Sequence, residues 1–412
     1  MATPDAARPD WLRRLIAHGA AVGGARHLVA LEPDELVATA VASTGGLDDF
    51  GDGDWRVWLE RLVDSLERES RLHAVGRLLA RHELLRSLRN RLQLAALWQR
   101  RPWILEAELL APSFVVGMAR SGTSILSELL ALDPAARCPA MWEMLHPVEA
   151  LEGDALRAVG DDEALLMEDL APEYATMHQN SGDLPNECIF ITLNTFVSDH
   201  WSGCHVVPSY ERALPRADEV EVYRFHERVL KTLQQRRAAG CTRWGLKAPS
   251  HLPRLESLFR VYPQARVIRI HRDPLESIPS TVNLMATLRR MRCDGVELAG
   301  AGERLARGYE AILRREIEQR ADGRIPEARI VDVRYDDLMR DLPDTIRGIY
   351  EQCGWELRSG VLERMQDYVA KRPRGARGEH AYSLEAAGLD RNAERERFRF
   401  YREHYDVPEE EP

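Results

Sequence analysis

The sequence predicts an α/β fold in which a mostly parallel sheet is flanked by helices, with a helical extension at the N-terminus. Apolar strand candidates occur at 113–118, 242–246, 265–271 and 328–333. Helical patterns separate them, at 124–132, 223–237, 252–261, 275–290 and 342–353. Strands that alternate with helices form a parallel sheet that is covered on both faces. Upstream of the first strand, the chain has helical patterns alone.

Residues 1–110 are therefore predicted to form a helical cap or dimer surface, and residues 111–412 to form the main domain. Between Trp55 and Leu92, apolar residues recur every three or four positions with arginine and glutamate between them, as in an amphipathic helix. The chain after about Asp390 has the pattern of a charged helix followed by acidic residues, and we expect it to be a solvated flank.

The composition excludes several classes of protein. Hydrophobic residues make up 44% and charged residues 30% of the 412, as in a globular protein rather than a disordered one. The net charge of −10 argues against nucleic acid as a partner, because proteins that bind it carry a basic face. No run of about 18 apolar residues occurs, so no membrane-spanning helix is expected. The six cysteines are scattered without a CxxC pair, which indicates reduced thiols in the cytoplasm.

The strongest motif is a strand, a tight turn and a helix start in Val115–Ser124, VVGMARSGTS. Backbone N–H groups at such a helix N-terminus converge on one point, and the helix dipole favours an anion there. Gly117 and Gly122 are spaced as in a P-loop, but Thr123 stands where nucleotide hydrolases have lysine, and the cation comes earlier, as Arg120. A P-loop-type sheet whose cation precedes the Ser-Gly-Thr turn suits a donor that has one phosphate and one transferring group. Such a donor does not require a metal ion. The alternative is a glycine-rich turn that binds no ligand.

A second strand end carries another candidate phosphate site. Arg272 follows the strand 265–271, and Ser280 lies eight residues later, about two helical turns into the next element. Open α/β sheets bind ligands at the carboxyl ends of their strands, where a guanidinium offers a planar fork for a phosphate. Alone, Arg272 and Asp273 would be interpreted as a surface ion pair. Together with the first loop, they predict two phosphate sites on one edge of the sheet.

These motifs resemble those of a known family. GMARSGTS resembles the 5′-phosphosulfate loop of sulfotransferases that use 3′-phosphoadenosine-5′-phosphosulfate (PAPS), in the bacterial and tyrosylprotein-type form with arginine instead of lysine. HRDPLESIPS resembles their 3′-phosphate site. The segments GLKAPSHLPRLESLFRVYPQARVIRIHRDP, VRYDDLMRDLPDTIRGIYEQCGW and GARGEHAYSLEAAGLD are similar to the bacterial branch, so the resemblance covers roughly 110–405. One departure is Ala119, where the family usually has proline.

The resemblance implies a set of residues that bind the donor. They are Arg120, Ser121, Gly122, Thr123 and Ser124 for the 5′-phosphosulfate and Arg272, Ser280, Arg377 and Gly378 for the 3′-phosphate, with Arg374 in the same basic loop. Lys247 resembles the second active-site lysine of the family, and it is one of only three lysines among 56 basic residues. The alternative for Lys247 is a solvated surface side chain.

The acceptor must lose a proton, which requires a carboxylate or imidazole within hydrogen-bond reach. Glu143, in CPAMWEMLHP, resembles the catalytic glutamate of the tyrosylprotein and bacterial branches, and we expect it to be the general base. His251 is the other candidate, similar to the histidine of the cytosolic K-x-H motif, although it follows Lys247 by four residues. His178 and Glu187 are expected either to line the acceptor pocket or to be structural.

The resemblance thus implies a cytoplasmic, PAPS-dependent sulfotransferase that acts without a metal on a hydroxyl or amine of a small-molecule, lipid or glycan acceptor. Two alternatives stay open at this point. A P-loop kinase would use Asp332, at a strand end, as a metal ligand, but its lysine is missing. A non-catalytic nucleotide-binding protein of the same fold is the second. The N-terminal helices are a candidate homodimer surface.

Overall fold

A computed structural model describes residues 8–177, 181–236, 239–372 and 382–410 of the chain. In these ranges, five strands form one sheet, and they are β1 Ala111–Val116, β2 Ala136–Arg137, β3 Arg243–Lys247, β4 Arg266–His271 and β5 Ile330–Arg334. The strand order is β2-β3-β1-β4-β5, and every pairing is parallel. The predicted fold class is therefore confirmed. The two-residue strand β2 was not predicted, because it is too short to show a pattern.

Helices surround this sheet and precede it. The N-terminal helices are α1 Asp10–Ala21, α2 Pro33–Ser43, α3 Trp55–Glu69, α4 Ala74–Arg100 and α5 Trp103–Glu106. Between β1 and β3 lie α6 Thr123–Leu130, α7 Met141–Leu145, α8 Pro147–Glu152, α9 Arg157–Leu170, α10 Tyr174–Met177, α11 Ile189–Thr192, α12 Asp199–Cys204, α13 Pro208–Ala213 and α14 Glu219–Gln234. After β3 come α15 Leu255–Val261, α16 Pro274–Arg290, α17 Ala301–Ala321, α18 Tyr335–Arg340, α19 Leu342–Cys353, α20 Val361–Ala370 and α21 Arg391–Tyr405.

The register of the sheet gathers the strand ends at one edge. The central strand β1 pairs with β3, where Val115 lies opposite Lys247, and with β4, where Val116 lies opposite Arg269. Because these strands are parallel, the residues that follow them emerge together. Side chains alternate between the faces, so that Phe114 packs with α14, α15 and α16, and Val115 packs with α6, α19 and α20.

The N-terminal segment is helical as predicted, but its long run is interrupted. Helices α3 and α4 are separated by Ser70–His73, where Arg71 has a left-handed φ of 47°. Here the backbone bonds to another part of the chain, since Asp294 N donates to Arg71 O and His73 N donates to Arg292 O, at 3.1 and 3.2 Å. A tertiary contact therefore ends the helix at a place where the local pattern would continue it.

The N-terminal helices share apolar clusters with the rest of the chain. Buried leucines of α2, α3 and α4 pack against the segment 193–214. Further along α4, Leu94, Leu97 and Trp98 join the cluster on one face of the sheet. The division of the chain at residue 110 stays a prediction.

The C-terminal helix α21 is not the solvated flank that its charge pattern predicted. Phe398 and Tyr401 are fully buried. The Tyr401 hydroxyl lies 2.9 Å from Nδ1 of His271, the last residue of β4. The prediction was wrong because a few buried aromatic residues in a charged helix are enough to dock it. In the described part of the chain, no helix is long and apolar enough to cross a membrane.

Candidate active site

The loop between β1 and α6 needs its two glycines for packing. A Cβ at Gly117 would lie 2.5 Å from Oγ of Ser121 and 2.7 Å from Cγ2 of Ile270. Gly122 has a φ of 96°, and a Cβ there would lie 2.5 Å from the ring of Tyr335. The loop can therefore pack this closely against Ile270 of β4 and Tyr335 after β5 only with glycine at both positions.

Arg120 lies in this loop, and its backbone is in the left-handed region, with a φ of 66°. This conformation costs a non-glycine residue about 1–2 kcal/mol. It is maintained by two side-chain contacts: Nη1 donates to the Met177 carbonyl at 2.7 Å, and Nε donates to Oγ of Ser280 on α16 at 3.1 Å. The guanidinium thus lies between the last residue of α10 and Ser280 of α16.

The first turn of α6 presents N–H groups that have no partner within the helix. Its N-cap, Gly122, offers no side chain to cap them. Thr123 and Ser124 therefore contribute backbone donors at the positive end of the helix dipole, where an anion is favoured. Ser121 makes internal contacts: both its N–H and its hydroxyl donate to the Met118 carbonyl, at 3.2 and 2.7 Å, and the residue is fully buried. Its role in binding the donor stays a prediction.

Lys247 reaches the same loop from the end of β3. Its Nζ lies 3.2 Å from Oγ of Ser124 and 2.9 Å from Oε1 of Glu187. Only 2% of the lysine side chain is exposed. The amine is therefore held between the phosphate loop and a carboxylate, rather than on the solvated surface that was the alternative.

Arg272 comes to the loop from the end of β4. Its Nη1 donates to the carbonyl of Arg120 at 2.9 Å, and its Cζ lies 4.4 Å from the centroid of the Tyr335 ring. The Nε and Nη2 groups form a two-point ion pair with Glu410, at 2.7 and 2.8 Å. Because Arg120 also contacts Ser280, the structure brings together Arg120, Arg272 and Ser280, which the sequence separates by up to 160 positions.

The electrostatics of these groups favour an anion. Burial and the neighbouring Arg272 guanidinium lower the pKa of Arg120. Burial also disfavours the charged form of Arg272, but the Glu410 carboxylate more than compensates and raises its pKa. An anion bound between the two arginines would stabilise both charged forms.

Glu143 is committed to other contacts. Its carboxylate forms a two-point ion pair with Arg137, at 2.6 and 2.9 Å, and accepts the Ala140 N–H at 2.8 Å at the start of α7. Both side chains are nearly buried, and the Arg137 guanidinium lies 5.3 Å from the centroid of the Trp244 ring. These contacts account for Glu143 as a helix cap, and its role as general base stays a prediction.

His251 lies in the interior behind the sheet. Its Nδ1 is 2.8 Å from the Tyr223 hydroxyl, and its ring packs against Phe114 and Tyr223. Burial holds the pKa of His251 well below its usual range, so the ring is neutral. The structure therefore does not bring His251 to the phosphate loop, and it takes no part in the reaction proposed below. His178, Arg374, Arg377 and Gly378 lie outside the described residues.

Sequence reasoning missed three contributors to this site. Tyr335 immediately follows β5, and its place at a strand end was a usable signal. Tyr309 on α17 accepts the Ala119 N–H at 3.0 Å, on the residue that replaces the family's proline. Glu410 lies far along the chain in an acidic tail, and nothing in the sequence relates it to Arg272.

The comparisons with known proteins agree with this geometry. The model of the sulfotransferase family matches residues 112–359. The crystal structure of sulfotransferase STF9 from Mycobacterium avium is similar with a TM-score of 0.81 and 30% identity, over 93% of this chain and 98% of that one. Sulfotransferase STF1 from Mycobacterium tuberculosis H37Rv gives a TM-score of 0.75 and 29% identity, over 89% and 97% of the two chains.

A curated relative adds a named acceptor. Omega-hydroxy-beta-dihydromenaquinone-9 sulfotransferase Stf3, from Mycobacterium bovis and Mycobacterium tuberculosis, is 28% identical over 276 residues. The match covers 63% of this chain and spans 66% of the length of that relative. The family match extends over more than half of the chain and includes β1, the phosphate loop, Lys247, Arg272 and β5. This chain therefore belongs to the sulfotransferase family, which confirms the enzyme class, PAPS-dependent sulfuryl transfer, that its motifs predicted.

Proposed function

We propose that this enzyme transfers the sulfuryl group of PAPS to a hydroxyl group of a largely apolar, lipid-type acceptor, by in-line displacement at the carboxyl edge of the sheet. The observation that carries the proposal is that two cations from other strand ends reach the loop that carries Arg120. Lys247 contacts Ser124 in the first turn of α6, and Arg272 contacts the Arg120 carbonyl just before that turn. Three cations that follow or complete different strands therefore lie along one loop, next to N–H groups that have no partner within the helix.

The site fits the two anionic groups of the donor. Lys247 and the N–H groups of Thr123 and Ser124, with Arg120 earlier in the same loop, form one cationic position, suited to a 5′-phosphosulfate. Arg272 and Ser280 form the second, suited to a 3′-phosphate. Lys247 is paired with Glu187, and Arg272 is paired with Glu410. An incoming anion can replace each carboxylate as the partner of the cation.

PAPS, when bound, supplies the sulfuryl group and a phosphate leaving group. Arg120 and Lys247 stabilise the negative charge that develops on the oxygens between sulfur and phosphorus. Because both side chains are largely buried, their charges act with little screening by water. Arg272 fixes the register of the nucleotide and does not take part in bond breaking.

The acceptor class is supported by one relative and by the composition of the neighbouring segment. Stf3 is named for a hydroxylated dihydromenaquinone, which is a lipid with a terminal hydroxyl group. In this chain Phe190 packs against three apolar clusters and lies three residues after Glu187, which contacts Lys247. Apolar packing so close in the chain to a residue that contacts Lys247 suits a hydroxyl on an apolar body better than a glycan.

Calorimetric titration with 3′-phosphoadenosine-5′-phosphate (PAP), without Mg²⁺, tests the donor site. Wild type should bind PAP, Arg272→Ala should bind it at least tenfold more weakly, and Arg260→Ala, which alters an exposed arginine on α15, should bind it as wild type does. Binding of ATP–Mg²⁺ with no binding of PAP would overturn the proposal in favour of a kinase.

Mass spectrometry of reactions with PAPS tests the acceptor. The three probes are a prenylated naphthoquinone with a terminal hydroxyl, 2-naphthol and N-acetylglucosamine. The proposal expects a sulfated product from the first, with a higher kcat/KM than for the other two. Preferential sulfation of the sugar would contradict the acceptor class and leave the donor chemistry in place.

A further inference from the structure

Glu187 is held at the active site by the backbone that flanks it. The segment before it crosses α7, where Met141 N donates to the Leu184 carbonyl at 3.1 Å. On the other side, Cys188 N donates to the carbonyl of Lys247 at 2.9 Å. These bonds place Glu187 beside the last residue of β3, where the sheet meets the phosphate loop.

The Glu187 carboxylate is bound at one oxygen and open at the other. Oε1 accepts from Lys247 at 2.9 Å, and the same amine lies 3.2 Å from Oγ of Ser124. Within the described residues, no hydrogen bond is made to Oε2. The side chain of Glu187 is 21% exposed, although that of Lys247 is 2% exposed. One carboxylate oxygen therefore faces accessible space. The Lys247 amine connects this carboxylate to the loop that is proposed to hold the transferring group.

Glu143 offers no such oxygen. Arg137 and the Ala140 N–H engage both oxygens of its carboxylate. Its side chain is 11% exposed, half the fraction of Glu187. To accept a proton from an acceptor, Glu143 would have to leave a two-point ion pair and uncap α7.

We infer that Glu187 is the general base of the transfer, an inference that rests on the proposed function. As the acceptor oxygen forms its bond to sulfur, its O–H bond breaks and the proton passes to Oε2 of Glu187. The electrons of the breaking S–O bond go to the phosphate oxygen of the leaving PAP. Lys247 links the two halves of the step, because its amine contacts the base and the loop that binds the leaving group.

The other titratable groups that face Glu187 do not take the proton. Among the described residues, the Cys188 thiol and the Tyr309 phenol interact with it besides Lys247. Burial raises the pKa of Cys188 to about 12 and that of Tyr309 to about 12, so both stay protonated between pH 5 and 9, roughly the range of an enzyme assay. The acidic limb of a pH–rate profile therefore reports on a carboxylate.

The variant Glu187→Gln distinguishes between two roles of Glu187, that of a general base and that of a residue that only positions Lys247. Glutamine keeps an oxygen that accepts from Lys247, so a purely structural role predicts nearly normal kcat. Loss of a general base predicts a decrease of kcat by about 10²–10⁴-fold and disappearance of the acidic limb of the pH–rate profile. Glu187→Asp should retain that limb with a reduced kcat. The assay uses PAPS with the hydroxylated prenylquinone or 2-naphthol.

Glu143→Gln tests the competing candidate for the base, and the inference predicts that this variant retains the acidic limb of the pH–rate profile. The opposite result, with the limb lost in Glu143→Gln and kept in Glu187→Gln, would overturn the inference and assign the base to Glu143. Titration with PAP is run on each variant, since unchanged PAP affinity shows that the donor site is intact. If wild type neither binds PAP nor sulfates any probe, the proposed function fails instead, which is a distinguishable outcome.

Discussion

The guanidinium of Arg272 is bound by the carboxylate of Glu410, through Nε to Oε1 at 2.7 Å and Nη2 to Oε2 at 2.8 Å. The Glu410 N–H also donates to Asp273 at 3.3 Å. The tail that follows α21 thus places a carboxylate in the planar fork that a phosphate of the donor would use. The chain carries its own anion at the predicted 3′-phosphate position.

Glu410→Gln should bind PAP more tightly than wild type. The wild-type ion pair must break before Arg272 can engage a phosphate, and a partly exposed pair is worth about 0.2–1 kcal/mol, which corresponds to an affinity gain of up to about fivefold. Calorimetry at low and high salt measures the change, and the gain should shrink as salt screens the pair. Glu409→Gln, which alters ion pairs to Arg395 and Arg402 instead, is the control. Equal or weaker binding by Glu410→Gln would contradict competition.

Gly122→Ala should destabilise the protein and impair binding of PAP. The added Cβ would lie 2.5 Å from the Tyr335 ring at a φ of 96°. Gly323→Ala is a matched control, because Gly323 has a φ of 79° and open space around the added atom. Urea unfolding should show a loss of about 1 kcal/mol for Gly323→Ala and at least about 1 kcal/mol more for Gly122→Ala. Equal losses would mean that contact with Tyr335 does not restrict this position.

Glu143→Gln should reduce the free energy of unfolding by about 1.5–3 kcal/mol, because it removes a charged partner from the nearly buried Arg137. The exposed pair of Asp64 and Arg68 provides the comparison, and Asp64→Asn should cost about 0.5 kcal/mol or less. Chemical denaturation measures both variants. A negligible loss in Glu143→Gln would argue against its role as a cap and ion-pair partner.

Stability should fall below about pH 6.5 in part through His226. Burial alone lowers the pKa of His226 to about 3. Between that pH and its ordinary pKa of 6.5, the unfolded chain binds one more proton than the folded chain, so the free energy of unfolding falls by about 1.4 kcal/mol per pH unit on acidification. His226→Gln should reduce the measured slope between pH 6 and 4 by about that amount. A slope equal to that of wild type in His226→Gln would contradict this prediction.

The predictable part of the site is the part that parallel sheet geometry determines. Arg120, Lys247 and Arg272 each follow a strand or complete one, and parallel strands end at the same edge, so spacing along the chain was enough to bring them together. Helix α19 likewise begins and ends at the predicted residues, Leu342 and Cys353, since aspartate precedes it and glycine follows it.

The remainder depends on contacts between distant segments. The break at Arg71 arises from the backbone of 292–294, and the docking of α21 arises from two aromatic residues among charged ones. Glu143 and Glu187 are both acidic residues near apolar ones, and only their partners distinguish them. The sequence pattern alone could not show that Glu143 pairs with an arginine and Glu187 pairs with the active-site lysine.

The burial of Lys247 makes this chain unusually convenient for chemical footprinting. Reagents that acylate amines do not modify guanidinium groups, so besides the α-amino group they have only three targets in a chain of 56 basic residues. Lys371 is exposed and Lys231 is partly exposed, whereas the side chain of Lys247 is 2% exposed. The acylation rate of a single peptide therefore reports how often the donor site opens. Compounds that occupy it can be found by mass spectrometry before any sulfated product is known.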